Sequence, residues 1–72
     1  MTVYEYLLAK KSSGDLKILF AVGLPTHLAN WMEYYEYHMN HPQLSFLELS
    51  LDLKTSKSTI QRALEFMNQT IM

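Results

Sequence analysis

The spacing of apolar residues along this 72-residue chain is that of α-helices, and it is most regular near the C-terminus. There Ile60, Ala63, Leu64 and Met67 recur at positions i, i+3, i+4 and i+7, which lie on one face of a helix. These four residues are therefore predicted to form a buried stripe, with the polar residues between them facing solvent.

A second helical pattern occupies the middle of the chain. A helix is predicted to begin at Pro25 or Thr26 and to reach about Asn40, and Pro42 prevents it from continuing. Its apolar positions are Leu28, Trp31, Met32, Tyr35 and Met39.

The N-terminal segment carries start and stop signals for two more helices. "TVYE" forms a capping box, in which Thr2 accepts from the amide of Glu5 and Glu5 accepts from the amide of Thr2. Gly14 is suited to the left-handed conformation that ends a helix. Asp15 is expected to cap the following run, "LKILFAV", which is apolar nearly all round and so predicts a central helix. A buried strand is the alternative interpretation of so short a run.

Two short helices are predicted at the C-terminal end. "SFLE" is a second capping box, formed by Ser45 and Glu48, and its helix reaches about Leu53. Ser56 is placed to cap the last helix. The chain is thus predicted to be a single all-α domain over residues 1–72, a small bundle of about five helices, with no linker or repeat.

The segment "ELSLDLKTSKSTIQRAL", from Glu48 to Leu64, resembles the helix-turn-helix family of DNA-binding proteins. Ser50 stands where the family has a small residue between two crossing helices, and Leu53 stands at the leucine that closes the first helix. Ser56 is the cap of the second helix. It is followed by the family-like residues Thr59, Ile60, Arg62, Ala63 and Leu64.

This resemblance implies a helix-turn-helix at about residues 45–70, whose second helix enters the major groove of double-stranded DNA. Glutamine and arginine are suitable hydrogen-bonding partners for adenine and guanine. The residues that the resemblance assigns to DNA binding are Ser56, Lys57, Ser58, Thr59, Gln61, Arg62 and Glu65.

The turn departs from the family pattern at two positions. Lys54 stands where glycine is usual, and Thr55 stands where an aliphatic residue is usual. Lysine is expected to adopt the required positive φ at some energetic cost. The alternative interpretation is a plain corner between two helices of a bundle, with Lys57 and Arg62 on a solvated face.

Composition changes the picture in two ways. The chain is 49% hydrophobic and only 18% charged, which is rich in apolar residues for a domain this small, so self-association as a homodimer is predicted. A two-fold dimer would imply a two-part DNA site. The net charge of −1 counts against strong DNA binding by a monomer, because phosphate neutralisation supplies most of the non-specific affinity.

An aromatic cluster offers a different function. "WMEYYEYHMNH" contains Trp31, Tyr34 and Tyr37, and such residues concentrate at protein–protein interfaces. We expect them to serve as interface anchors. In the alternative function the chain is a protein–protein interaction module or inhibitor that uses a helix-turn-helix-like scaffold.

Other chemistry is not expected. With no cysteine and two glycines, the chain has neither a thiolate metal site nor a phosphate-binding glycine loop. His27, His38 and His41 lack further ligands at a convincing spacing, so no metal site is predicted. No nucleophile elbow, phosphate loop or pair of carboxylates appears, so no cofactor or catalytic site is predicted. No run reaches the length of a membrane span, and the N-terminus does not resemble a signal peptide. We expect a cytoplasmic protein, similar in its compactness to accessory proteins of phages, plasmids and other mobile elements.

Overall fold

Five helices make up the computed structural model, which describes residues 1–71. They are α1 (Val3–Ser13), α2 (Leu16–Ala21), α3 (His27–Asn40), α4 (Phe46–Leu53) and α5 (Lys57–Met67). No strand occurs among these residues apart from an isolated bridge between Thr2 and Thr70. The prediction of a small all-α bundle is therefore confirmed.

The predicted capping boxes are both present. Thr2 and Glu5 exchange hydrogen bonds at the start of α1, and Ser45 and Glu48 do the same at the start of α4. Gly14 ends α1 with φ of 84°, in the left-handed region. These local signals fix both ends of α1 and the first turn of α4.

A first core cluster holds α1 and α3 against α5. Its buried residues are Leu7, Leu28, Met32 and Met67. Met39, the last of the five apolar positions predicted for this helix, is exposed near the end of α3. The buried residues of α3, Leu28 and Met32, therefore lie in its first half.

A second core cluster joins α3, α4 and α5. It consists of the buried residues Leu49, Ile60 and Leu64, with Leu44 and Leu53 packed against it. The contact of Leu44 and Leu49 with this cluster agrees with the hydrophobic staple expected beside a capping box. All four residues of the predicted α5 stripe are buried.

The prediction that α2 is a central helix is wrong. None of its residues is buried, and Asp15 makes no side-chain hydrogen bond to the helix start. Leu16 and Phe20 pack against the first core cluster from outside, while Ile18 and Val22 point to solvent. A helix of six residues has less than two turns, so it offers one contact face to α1 and leaves the opposite face uncovered.

The two ends of the described chain lie side by side. The amide of Val3 donates to the carbonyl of Gln69 at 2.9 Å, and the amide of Ile71 donates to the carbonyl of Met1 at 2.9 Å. This pairing fastens the start of α1 to the residues that follow α5. Within residues 1–71, no helix is long and apolar enough to cross a membrane.

Candidate nucleic-acid interface

A tight left-handed turn joins α4 to α5. Lys54 has φ of 55° and ψ of 45°, and it is the only non-glycine residue with positive φ among residues 1–71. The amides of Lys54 and Thr55 both donate to the carbonyl of Ser50. The chain thus reverses direction here without glycine, as the sequence required, at the strain expected for lysine.

Small and apolar side chains fill the angle between α4 and α5. Leu49 and Ile60 are fully buried, and Leu53 closes the angle beside the turn. Ser50 is also buried, and its hydroxyl donates to the carbonyl of Leu47 at 2.6 Å. The small residue therefore sits in the interior with its polar atom satisfied, which avoids the penalty of an unpaired buried hydroxyl.

The start of α5 is capped by Ser56. Its hydroxyl accepts from the amide of Thr59 at 3.1 Å and lies 2.8 Å from the hydroxyl of Thr59. Both hydroxyls are therefore engaged at the helix start, and Thr59 is half-buried. Of the seven residues predicted to bind DNA, these two hold the helix in place.

The other five predicted DNA-binding residues share the solvent face of α5. All are exposed, and within residues 1–71 none of their side chains makes a hydrogen bond or ion pair: Lys57, Ser58, Gln61, Arg62 and Glu65. Successive residues lie about 100° apart around a helix, which puts the centre of this arc opposite the buried stripe. The structure therefore brings them together on one accessible surface.

Charge is strongly segregated along the chain. Residues 54–64 contain Lys54, Lys57 and Arg62 and no acidic residue, whereas residues 18–53 contain four acidic residues and no lysine or arginine. The α4–α5 turn and the first two turns of α5 are thus locally basic in a chain whose net charge is −1. Glu65 limits this basic surface toward the C-terminal end.

The three predicted interface anchors are half-buried and make contacts within the chain. Trp31 packs edge-on against Phe66, with ring centroids 5.6 Å apart. Tyr34 packs against the second core cluster. The hydroxyl of Tyr37 donates to the carboxylate of Asp52 at 2.8 Å, and this hydrogen bond is the main cause that raises the Tyr37 pKa. The aromatic cluster therefore binds α3 to α4 and α5.

Two further tyrosine hydrogen bonds were missed by sequence reasoning. Tyr4 donates to Glu36 at 2.8 Å, and Tyr35 donates to Asn68 at 3.1 Å. The Tyr4 and Tyr35 rings are 4.5 Å apart. Burial, followed by the hydrogen bond to Glu36, raises the Tyr4 pKa to about 12. These bonds join residues about thirty positions apart, so no local sequence pattern predicts them.

The histidines do not form a ligand cluster. The Nδ1 atom of His41 lies 3.0 Å from the carbonyl of Tyr37, and its ring stacks on the Tyr37 ring at 4.2 Å. The Nδ1 atom of His38 is buried without a hydrogen-bond partner. Among residues 1–71, no group of three potential ligands is close enough to hold a metal ion.

The chain was compared with known protein families, curated proteins and solved structures. No family model matches the chain, and neither a curated protein nor a solved structure matches it.

Proposed function

We propose that this protein is a small sequence-specific DNA-binding protein, acting as a transcriptional regulator or as an accessory protein of a mobile element. In this proposal α4 and α5 are a helix-turn-helix, and the solvent face of α5 enters the major groove of duplex DNA. The observation that carries the proposal is this face itself, where Lys57, Gln61 and Arg62 are exposed together and free of internal partners.

The residues on this face suit two different tasks. Lys57 lies in the first turn of α5, beside helix-start amides that also favour an anion, so it is placed to meet a phosphate. Gln61 and Arg62 lie one turn further along, where their side chains can hydrogen-bond to base edges. Gln61 and Arg62 would then determine which DNA sequence is bound. Contacts of the helix start with phosphates would fix the position of the protein along the DNA backbone.

A salt titration tests this proposal. Binding to a fluorescent duplex with room for one copy is measured by anisotropy at several salt concentrations. Lys54, Lys57 and Arg62 are the three cationic residues of this surface, and three cationic contacts predict a slope of log affinity against log salt of about −3. The double variant Lys57→Glu/Arg62→Glu should bind at least about tenfold more weakly and lose about two units of slope.

The matched control changes the same net charge at the other end of the molecule. Lys11 and Lys17 are both exposed, so Lys11→Glu/Lys17→Glu should fold normally and keep most of the affinity. Equal losses in the two double variants would show that only overall charge matters. A Lys57→Glu/Arg62→Glu protein that binds as well as wild type would refute the major-groove proposal.

A second candidate function is binding to a protein, as an interaction module or inhibitor. The net charge of −1 and the exposed leucines of α4 favour it. Its affinity would depend on buried apolar surface and would respond weakly to salt, whereas DNA affinity falls steeply. The same titration therefore separates the two functions.

A further inference from the structure

A groove lies between the C-terminal end of α1 and the helix α2. It has a volume of about 420 Å³ and is lined by Lys11, Gly14, Leu16, Lys17 and Phe20. This volume falls within the range of about 300–1,000 Å³ that small-molecule sites occupy. We name it the α1–α2 groove.

Leu16 and Phe20 supply the apolar part of the groove. They are four residues apart, so they share one side of α2, and both pack against the first core cluster. Both are half-buried, and part of each side chain faces the groove. The α1–α2 groove therefore offers an apolar wall to a ligand.

Two lysines supply the charge of the groove. Lys11 and Lys17 are exposed, and within residues 1–71 neither ammonium group forms an ion pair or a hydrogen bond. None of the residues that line the groove is acidic. Both ammonium groups are thus available to an anion.

Asp15, the acidic residue nearest to Lys17 in the sequence, lies on the other side of α2. Successive residues are about 100° apart around a helix, so Asp15 shares the side of Ile18 and Val22. Lys17, two residues after Asp15, points in nearly the opposite direction. The Asp15 carboxylate also accepts from the hydroxyl of Ser13 at 3.0 Å. The groove side of α2 is therefore basic, and its opposite side is not.

The lining also limits the kind of anion that fits. Apart from the two ammonium groups, no lining side chain can form a hydrogen bond, because the others are glycine, leucine and phenylalanine. A ligand rich in hydroxyl or amide groups, such as a sugar or a nucleotide, would lose hydrogen bonds to water here without replacing them. An apolar body with one anionic head group loses none.

We propose that the α1–α2 groove binds a small amphiphilic anion, a free carboxylic acid with an apolar body. The carboxylate accepts charge-assisted hydrogen bonds from Lys11 and Lys17, which are stronger than hydrogen bonds between neutral groups. The apolar body lies on Leu16 and Phe20, and its removal from water supplies the remaining affinity. This site is separate from the solvent face of α5 and does not depend on the proposed DNA binding.

A matched series of probes tests both parts of the site. Octanoate, octanamide and octylammonium share one apolar body and differ in the head group, whereas acetate has the anionic head group alone. Each is titrated at low salt into methyl-labelled protein, and affinities are read from NMR shift changes. Octanoate should bind about five- to tenfold more tightly than octanamide, and octylammonium more weakly than both. Each methylene added between acetate and octanoate should raise the affinity by up to about fourfold.

The methyl signals also report which side of α2 the probe contacts. Octanoate should shift the methyl signals of Leu16, which lines the groove, far more than those of Ile18 and Val22. Those two side chains are exposed on the opposite side of the same helix, so they are an internal control. Shifts confined to Ile18 and Val22 would overturn the proposal.

The variant Lys11→Gln/Lys17→Gln separates the charge from the apolar contact. Both lysines are exposed, so the variant should retain wild-type helix content by circular dichroism. It should lose the preference for octanoate over octanamide, while its affinity for octanamide stays within about twofold of wild type. The control Lys57→Gln/Arg62→Gln removes the same charge from α5 and should keep the preference.

Four results would overturn the proposal. Absence of octanoate binding at millimolar concentration would remove the site. Equal affinities for octanoate and acetate would show an adventitious ion only, and equal affinities for octanoate and octanamide would show that the lysines select nothing. An unchanged preference in Lys11→Gln/Lys17→Gln would place the head group elsewhere. Since no DNA is present, none of these outcomes bears on the proposed DNA binding.

Discussion

α2 and α5 show that apolar content and burial are different properties. Five of the six residues of α2 are apolar, and none of them is buried. Five of the eleven residues of α5 are apolar, and four of these are buried. The difference lies in spacing and length. In α5 the apolar residues fall on one face for three turns, whereas α2 is too short to align its apolar residues with one neighbour.

The same difference gives the two helices different surfaces. The buried stripe of α5 fixes the direction in which its polar face points. α2 packs on one side only, and its other side leaves Ile18 and Val22 exposed. A polar face of fixed direction suits recognition of DNA, and an uncovered apolar row suits contact with another protein.

Truncation of an isoleucine in each helix should give the largest contrast. Ile60 of α5 is fully buried against α3 and α4, and Ile60→Ala is expected to lower the free energy of unfolding by about 2–5 kcal/mol, because it leaves a cavity. Ile18→Ala removes the same atoms from an exposed site of α2 and should change the free energy of unfolding by less than about 0.5 kcal/mol. Urea unfolding at low protein concentration measures both. Equal losses would show that α2 belongs to the core.

The helix starts provide a second contrast. Ser56 caps α5 through the amide of Thr59, so Ser56→Ala should destabilise by about 1 kcal/mol. Asp15 makes no such bond at α2, so Asp15→Ala should have a much smaller effect. For a domain of this size, 1 kcal/mol corresponds to a shift of about 4–8 °C in Tm, which thermal unfolding resolves. A larger loss at Asp15 than at Ser56 would contradict this assignment of the caps.

Replacement of Lys54 by glycine should stabilise the protein. Because it holds a left-handed conformation, Lys54→Gly is expected to raise stability by about 0.5–1 kcal/mol, the relief of strain outweighing the extra freedom of glycine in the unfolded chain. Lys57→Gly removes the same charge within the helix and should destabilise by up to about 1 kcal/mol. Chemical denaturation compares the two variants. A destabilising effect of Lys54→Gly would contradict the left-handed conformation of Lys54.

The smallest effect concerns the attachment of α1, which carries α2. Folding raises the Tyr4 pKa from 10.0 to about 12, so the folded state favours the protonated hydroxyl. The stability from this group is fully present below pH 10.0 and is lost as pH rises toward about 12. Tyr4→Phe should reduce the loss of stability between pH 10.0 and about 12. Hydrogen exchange of the variant should show faster opening of α1 and α2, with α5 unchanged. Equally fast opening of all helices would contradict this role of Tyr4.

Local signals made much of the fold predictable. The capping boxes at Thr2 and Ser45, the left-handed Gly14 and the stripe of α5 each depend on neighbours within one or two turns, which a sequence displays directly. The position of α2 depends on how the other helices pack. α3 and α5 supply most of the core, so α2 lies outside it. Its apolar content alone therefore led to the wrong prediction of a central helix.

The candidate site was predictable to a similar extent. The exposed arc of α5 follows from periodicity, since the residues opposite a buried stripe must face solvent. The engagement of Thr59 with Ser56 and the anchoring of Tyr37 to Asp52 depend on side-chain rotamers and on contacts between distant segments. Those contacts are absent from any short motif.

The most direct test of the DNA-binding proposal is an NMR titration that reports every backbone amide. Duplex DNA is added at low salt to labelled protein kept dilute enough to remain monomeric. The largest shift changes are expected on residues 56–65, with small changes on α2, and all of them should fade as salt is added. Shifts concentrated on α2 or on the outer side of α4, with α5 unchanged, would contradict the DNA-binding proposal.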